Sequence, residues 1–282
     1  MTREASIGRH YEEAPRLVGA GVRSWITRGA NFAVVCSLGD GGATLGGAAK
    51  DEQFVYALGG GVRVAAGTSS ESLGIEDLAI LPPGEWTLRF ERPGQVVQLI
   101  TADETLAKQA PNAARYADGA PEVAPVEPWP EPVGGYRLRR YSTLDAYARG
   151  GLVHAFRTRK LMIVPYARFL EPRDETALTP HSHADFEQGS VGLEGEWVHH
   201  LRVPWTANRR HWRPDLHLQV GSPSTLIIPA GVIHTSQGIA GEGMRLVDVF
   251  APPRVDFSER GFVDNAADYP MPPANQKAAA RA

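Results

Sequence analysis

Histidines cluster in the second half of the chain, where seven of the nine lie between positions 181 and 234. His181 and His183 are separated by one residue, so on a β-strand their side chains point to the same side. A third histidine, His234, ends the segment Pro229-Ala-Gly-Val-Ile-His234. Three imidazoles and one oxygen ligand can close a compact site that suits Fe, Mn, Ni, Cu or Zn. The spacing therefore predicts a transition-metal site.

Short apolar segments bounded by glycine or proline must position these histidines. Their spacing is typical of β-sandwiches and barrels. Strands are predicted at 25–27, 31–37, 53–58, 62–66, 78–81, 87–90, 96–100, 160–166, 216–220, 224–228 and 244–250, and a hairpin over 191–200 around Glu194-Gly195. Between the two groups of strands, residues 103–117 predict a short helix that Pro111 kinks or splits.

A proline-rich segment separates the two halves of the chain. Five prolines fall within residues 119–135, a composition that indicates a stiff, extended connector. We therefore predict an N-terminal domain over 1–118, a linker over 119–135 and a C-terminal, metal-binding domain over 136–282.

The second half repeats the pattern of the first. The segment that starts at Glu52-Gln53 aligns with the one that starts at Glu187-Gln188, and Leu78–Gly84 aligns with Leu226–Gly231. The extra length of the second half falls near 204–215, which we interpret as a longer loop. The alignment predicts a first half without metal. It places small residues near Gly46 and Ala48 opposite His181 and His183, and Thr87 opposite His234.

Two stretches, His181–Gly195 and Pro229–His234, resemble the paired motifs of the cupin superfamily: His-x-His followed by Glu or Gln and then Gly, and Pro-x-Gly-x-x-His. The resemblance covers the second half and, through the repeat, the first. Cupins are double-sheet jelly rolls. The resemblance thus implies an all-β chain of two tandem cupin barrels with short helical connections. It also implies one divalent transition metal per chain, with Fe, Mn, Ni and Zn as candidates.

The oxygen ligand is left open between Gln188 and Glu187. Strand alternation from His183 places Glu187 on the histidine face. Six intervening residues counted back from Gly195, as in the cupin motif, instead end at Gln188. A loop after the histidine pair, which the family has, would break the alternation, and we favour Gln188. A glutamine leaves the site one charge more positive than a glutamate does.

The segment from Val247 to Phe257 resembles the last strand of small cupins that act on unsaturated uronates. That resemblance implies Asp248, Phe250 and Arg254 beside the substrate. We expect a metal-dependent isomerase or tautomerase of a small keto or uronic acid. Arg254 would hold the carboxylate as a two-donor fork, and Asp248 would move the proton. The alternative for Arg254 is a structural ion pair with Asp248 or Glu259.

Two other functions stay open. An Fe(II) dioxygenase would use the same histidines, and small residues at Ser190 and Gly192, if they face inward, would leave room for the substrate. Ser190 is therefore a further substrate-binding candidate. A non-enzymatic sensor or binding protein is the third reading, because the first barrel lacks metal ligands.

Composition excludes several other classes of protein. A net charge of −3, from 29 basic and 32 acidic residues, provides no footprint for nucleic acid. No apolar run approaches the length of a membrane span. The single cysteine, Cys36, excludes an internal disulfide and favours a reducing, cytoplasmic location. We expect a small molecule as the partner, with a homodimer left open.

Overall fold

Two antiparallel β-sheets dominate the computed structural model, which describes residues 2–273. The helices of this range are short: α1 (Thr143–Ala148), α2 (Val255–Glu259) and 3-10 helices at Ala107–Gln109, Ala113–Tyr116 and Arg209–His211. The helix predicted over 103–117 is present as two 3-10 turns, one on each side of Pro111. No helix among the described residues is long and apolar enough to cross a membrane.

The first sheet has nine strands. They are β2 (Leu17–Gly19), β3 (Val22–Arg28), β4 (Phe32–Gly39), β5 (Thr44–Ala49), β6 (Gln53–Ala66), β7 (Ser69–Leu81), β8 (Gly84–Phe90), β9 (Gly94–Thr101) and β10 (Arg139–Ser142). The order is β10-β7-β6-β9-β4-β3-β2, and β8 pairs with both β6 and β5.

The second sheet has seven strands. They are β1 (Ser6–Gly8), β11 (Phe156–Arg157), β12 (Met162–Pro165), β13 (Gln188–Arg202), β14 (Leu216–Val220), β15 (Ser224–Ile228) and β16 (Ile233–Phe250). The order is β1-β15-β13-β16-β12-β11, and β14 pairs with β13.

Two long strands bend where the sequence predicts a turn. The hairpin predicted around Glu194-Gly195 is wrong: β13 continues through this point, with irregular register between Gly192 and Trp197. The gap between the strands predicted at 53–58 and 62–66 is likewise a register shift inside β6. Gly60, Gly61 and Gly195 have φ values of 68°, 71° and 83°. Glycine tolerates this conformation, so the strand bulges and twists without reversing direction.

The topology confirms the internal repeat. In the first half the long bulged strand β6 pairs with β7 along one side and with β8 and β9 along the other. In the second half the long bulged strand β13 pairs with β14 and β15 along one side and with β16 along the other. The predicted extra loop lies between Arg202 and Leu216, where the first half has only a tight turn between β6 and β7.

The two halves exchange edge strands. β1 pairs with β15 of the second sheet, although it opens the chain. β10 pairs with β7 of the first sheet, although it follows the proline-rich segment. Each sheet is thus completed by the other half of the chain, an exchange that the predicted domain limits do not include. Residues 274–282 of the predicted second domain lie outside the described residues.

A shared hydrophobic core joins the two sheets. It combines first-half residues such as Phe32, Phe54 and Leu99 with second-half residues such as Val191 and Val249. A separate cluster fills the first barrel from inside. The two barrels therefore pack face to face, and the side chains between them belong to one core that both sheets form together.

Candidate metal centre

The three predicted histidines lie together at the mouth of the second barrel. His181 and His234 face each other in an isolated antiparallel bridge, with backbone N–H···O distances of 3.0 and 2.8 Å. His183 follows two residues later, and its carbonyl accepts from the Gly231 amide at 2.6 Å. One ligand atom from each imidazole lies within 4.8 Å of the others. The Pro229–His234 turn and the His-x-His segment therefore bring the triad together through backbone pairing.

Backbone carbonyls orient two of the imidazoles. His181 Nδ1 lies 2.9 Å from the Thr179 carbonyl oxygen, and His234 Nδ1 lies 2.9 Å from that of Val232. A carbonyl can only accept, so Nδ1 donates and Nε2 keeps its lone pair for a metal. Burial lowers the pKa of His234 to about 4 and that of His183 to about 3, which keeps both rings neutral near pH 7.

The side chain of Gln188 presents its amide oxygen to the triad as a possible metal ligand. Ser190 Oγ donates to Asp248 Oδ1 over 2.6 Å, so it accepts from Gln188 Nε2 at 3.0 Å. This orients Gln188 Oε1 toward His183 Nε2 and His234 Nε2, at 3.0 and 3.2 Å. The His234 nitrogen and the Gln188 oxygen are both acceptors, an arrangement that a cation between them would stabilise. The donor set of three imidazoles and one amide oxygen fits a divalent transition metal.

Glu187 points to the other side of the chain, away from the triad. Its carboxylate accepts from the Ala30 amide at 2.6 Å and from the Tyr116 hydroxyl at 3.0 Å, both in the first half of the molecule. Burial raises the pKa of Glu187. Strand alternation from His183 does not carry across residues 184–187, which form no strand.

A cavity of about 610 Å³ adjoins the triad. His181, His234, Gln188 and Asp248 lie on its wall. Asp248 is 7% exposed and accepts from Tyr166 Oη at 3.0 Å as well as from Ser190. Burial raises the pKa of Asp248, although both hydrogen bonds oppose the shift. The wall thus carries a carboxylate held in a fixed orientation next to the candidate metal ligands.

Two arginines on the cavity wall were missed by sequence analysis. Arg173 donates through Nη1 to the Ser236 carbonyl at 2.7 Å, and Arg168 donates through Nη2 to the Glu242 carbonyl at 2.6 Å. Within residues 2–273 neither guanidinium has an ion-pair partner. Both lie in a loop without a motif, and contacts with distant segments, among them the bridge between Phe169 and Met244, bring this loop to the cavity.

Arg254 and Phe250 lie behind the triad, on the side of His183. Arg254 makes a two-donor contact with Asp256, at 3.0 and 2.6 Å, and its Cζ lies 3.7 Å from the centre of the Phe257 ring. The Phe250 ring packs edge-on against His183, with centroids 5.7 Å apart. Among the described residues, the cavity wall includes neither of the two. Arg254 thus forms an ion pair with Asp256.

The space expected at Ser190 and Gly192 is occupied. Ser190 is fully buried between Gln188 and Asp248. A Cβ at Gly192 would lie 3.1 Å from the Trp197 ring, so the indole fills the room that the glycine leaves. The room expected for a substrate at Gly192 is thus taken by Trp197, and Ser190 is not among the residues of the cavity wall.

The first barrel has the same backbone frame without the ligands. Gly46 of β5 is paired directly with Thr87 of β8, as His181 is with His234. The alignment made from sequence thus matches the register of the strands. Neither glycine nor threonine supplies an imidazole at this position.

No protein-family model matches the chain, and no curated protein matches its sequence. Solved structures match its fold. Protein Ylba from E. coli aligns with a TM-score of 0.58 at 12% identity, over 89% of this chain and 91% of that one. Oxalate decarboxylase from Lactobacillus farciminis, in a formate complex, aligns with a TM-score of 0.55 at 13% identity, over 88% and 86%. For AerE from Microcystis aeruginosa the values are 0.53 and 10%, over 85% and 96%.

At identities this low the likeness establishes the fold. The chain therefore has a cupin-type jelly-roll architecture, as its paired motifs predicted.

Proposed function

We propose that this protein is a metal-dependent enzyme that isomerises or tautomerises a small oxygenated acid, a keto or uronic acid. The observation that carries the proposal is the cavity wall. There, His181 and His234 of the triad meet one oriented carboxylate and two guanidinium groups that have no ion-pair partner within residues 2–273. A structural neighbour, oxalate decarboxylase in its formate complex, supports a small carboxylate as the ligand class.

His181, His183, His234 and Gln188 would hold one divalent ion of Fe, Mn, Ni or Zn. When bound, such an ion supplies Lewis-acid polarisation of a carbonyl or hydroxyl oxygen. The neutral imidazoles and the neutral amide leave its full positive charge uncompensated by ligands. An anionic substrate is therefore favoured on electrostatic grounds.

Arg173 is the group that we assign to the substrate carboxylate. Arg173 lies on the cavity wall, and its hydrogen bonds to the Ser236 carbonyl and to Thr179 Oγ1 use two of its five N–H groups. A guanidinium matches a carboxylate with two parallel hydrogen bonds. Asp248 is assigned as the proton acceptor. Tyr166 and Ser190 hold its two oxygens in place, and its burial favours taking up a proton during the reaction.

Proton exchange tests the proposed reaction directly. The metal-loaded protein is incubated in D2O with a panel of 2-keto acids and unsaturated uronates, and loss of the C–H signal next to the carbonyl is followed by proton NMR. We expect exchange with at least one acid, and we expect Asp248→Asn to abolish it while the metal content is retained. Oxygen uptake with Fe(II) would overturn the proposal in favour of a dioxygenase. Binding of an acid without exchange would overturn it in favour of a sensor.

A matched pair of arginine variants tests the carboxylate assignment. Arg173→Lys should raise KM for the acid at least tenfold with little change in melting temperature, because an ammonium cannot form the planar two-donor contact. Arg254→Lys should leave KM nearly unchanged and lower the melting temperature, because it breaks the contacts with Asp256 and Phe257. The reverse pattern would return the carboxylate to Arg254.

A further inference from the structure

A cavity of about 240 Å³ lies in the first barrel, at the position that corresponds to the metal centre of the second. Gly46 and Ala48 of β5 and Gln53 of β6 lie on its wall, where the second barrel has two histidines and Gln188. A hydrogen and a methyl group thus replace two imidazoles. The backbone frame is kept, and a cavity lies where the rings are missing.

Gln53, on the wall of this cavity, meets a second buried amide side chain, that of Gln98. Gln53 is 2% exposed and Gln98 is 0% exposed, and Gln98 Nε2 donates to Gln53 Oε1 over 3.3 Å. Among the described residues, Gln53 Nε2 and Gln98 Oε1 have no hydrogen-bond partner. Inverting both amides would exchange nitrogen and oxygen, yet one N–H donor and one carbonyl acceptor would still be left over. Buried amide groups without partners are unfavourable, and a ligand that pairs with them removes that penalty.

The charge on the wall differs from that of the metal-site cavity. Glu104 is the charged residue of this wall, and its Oε1 is fixed by the amides of Lys50 at 2.6 Å and Asp51 at 3.3 Å. The carboxylate disfavours an anion, whereas Arg168 and Arg173 favour one in the second barrel. The remaining wall is largely apolar, formed among others by Val35, Leu45, Trp86 and Ile100.

We propose that the first barrel is a second, metal-independent ligand site for a small uncharged molecule with an amide-like group and a short apolar part. The amide would pair with Gln53 and Gln98, and the apolar part would contact Leu45 and Trp86. A cavity of 240 Å³ has room for about eight water molecules at ~30 Å³ each, so the ligand is smaller than a drug-sized compound.

A pair of probes with the same shape tests the site and its selectivity. The full-length protein is titrated with isobutyramide and with isobutyrate, which differ in the amide and carboxylate groups. The indole N–H signal of Trp86, assigned with Trp86→Phe, reports on binding. We expect a saturable shift with isobutyramide and at least tenfold weaker binding of isobutyrate.

Two variants remove different parts of the site. Gly46→Leu fills the cavity and keeps both amides. A Cβ there would lie 3.3 Å from the Trp86 carbonyl oxygen and 3.5 Å from Thr87 Cγ2, so the paired strand must shift by a few tenths of an ångström to accept it. Gln53→Leu keeps the volume and removes one amide. Each should weaken isobutyramide binding at least tenfold in a protein that still melts cooperatively. If Gln53→Leu does not fold, isobutyramide binding by Gly46→Leu alone tests the proposed site.

The variant Gln188→Ala distinguishes a failure of this second site from a failure of the proposed enzyme function. It should lower the metal content of the second barrel and leave isobutyramide binding unchanged, so either proposal can fail alone. The absence of a saturable Trp86 shift, equal binding of isobutyrate, or undiminished binding by folded Gly46→Leu would overturn the second site.

Discussion

Gln188 and Glu187 are neighbours in the chain, yet they interact with opposite sides of the molecule. The amide of Gln188 joins the triad to Ser190 and Asp248 through a chain of hydrogen bonds. The carboxylate of Glu187 instead joins the second half to Ala30 and Tyr116 of the first. Because adjacent side chains point to opposite sides, one residue is a candidate metal ligand and its neighbour forms a structural contact between the two halves.

The two residues should respond differently to substitution. Gln188→Ala should weaken metal binding by more than the 10–100-fold that outer-shell changes cause. Glu187→Ala should change metal affinity little and lower the free energy of unfolding by about 1–3 kcal/mol, because it leaves the Ala30 amide and the Tyr116 hydroxyl without their partner. Competitive chelation and urea denaturation of both variants measure these effects. Greater metal loss in Glu187→Ala would make Glu187 the ligand.

At the level of secondary structure, the exchanged strand β1 is held by a buried histidine. His10 follows β1, is 3% exposed, and places Nε2 3.0 Å from Thr225 Oγ1 of β15. Burial lowers its pKa to about 4. The ring is therefore neutral in the folded protein at pH 7, and protonation would place an uncompensated charge where the N-terminal segment packs on the second sheet.

This pKa predicts acid sensitivity of the fold. Between the ordinary histidine pKa of about 6.5 and the folded value of about 4, the unfolded chain binds a proton that the folded chain does not. The contribution of the neutral His10 ring to the free energy of unfolding is thus fully present above pH 6.5. It is lost as the pH falls toward 4, and the loss is as much as roughly 3 kcal/mol. Urea denaturation of the wild type and His10→Gln at several pH values measures the difference. Identical pH slopes for the two proteins would contradict it.

On the scale of the whole molecule, the shared core makes the stability of one barrel depend on the other. Phe32 of β4 is fully buried in this core. Its ring also lies against the second half, since a Cβ on Gly189 would be 3.0 Å from Phe32 Cε2. Together with the exchange of β1 and β10, this contact favours unfolding of both barrels in one transition.

Phe32→Ala tests that coupling. Removal of a buried phenylalanine costs about 3–5 kcal/mol, and here the cost should appear in both barrels. We expect one urea transition, shifted to lower concentration, in which metal release coincides with loss of tryptophan fluorescence. Phe90→Ala, in the core of the first barrel alone, is the matched control and should shift the same single transition. Metal release unaffected by Phe90→Ala would show that the barrels unfold independently.

The sequence alone predicted the triad, the repeat and the cupin-type fold. His181, His183 and the Pro229–His234 turn are local patterns, and the identity and spacing of their residues are enough to predict which backbone positions meet. Gly46 and Thr87 were aligned correctly for the same reason, because a duplicated barrel keeps its register when its ligands are lost. The glycines at 59–61 and 195 were misread as turns, since a bulge and a turn require the same positive φ.

The tertiary structure decided which side chains complete the site. Arg173 reaches the cavity because of a contact between distant segments, and no local pattern marks it. Gln188 faces the triad because residues 184–187 break the strand alternation, a property of the loop as a whole. The space at Gly192 is filled by Trp197 across a bulge. These features depend on long-range packing, and spacing along the chain does not encode how a loop turns or which side chain fills a gap.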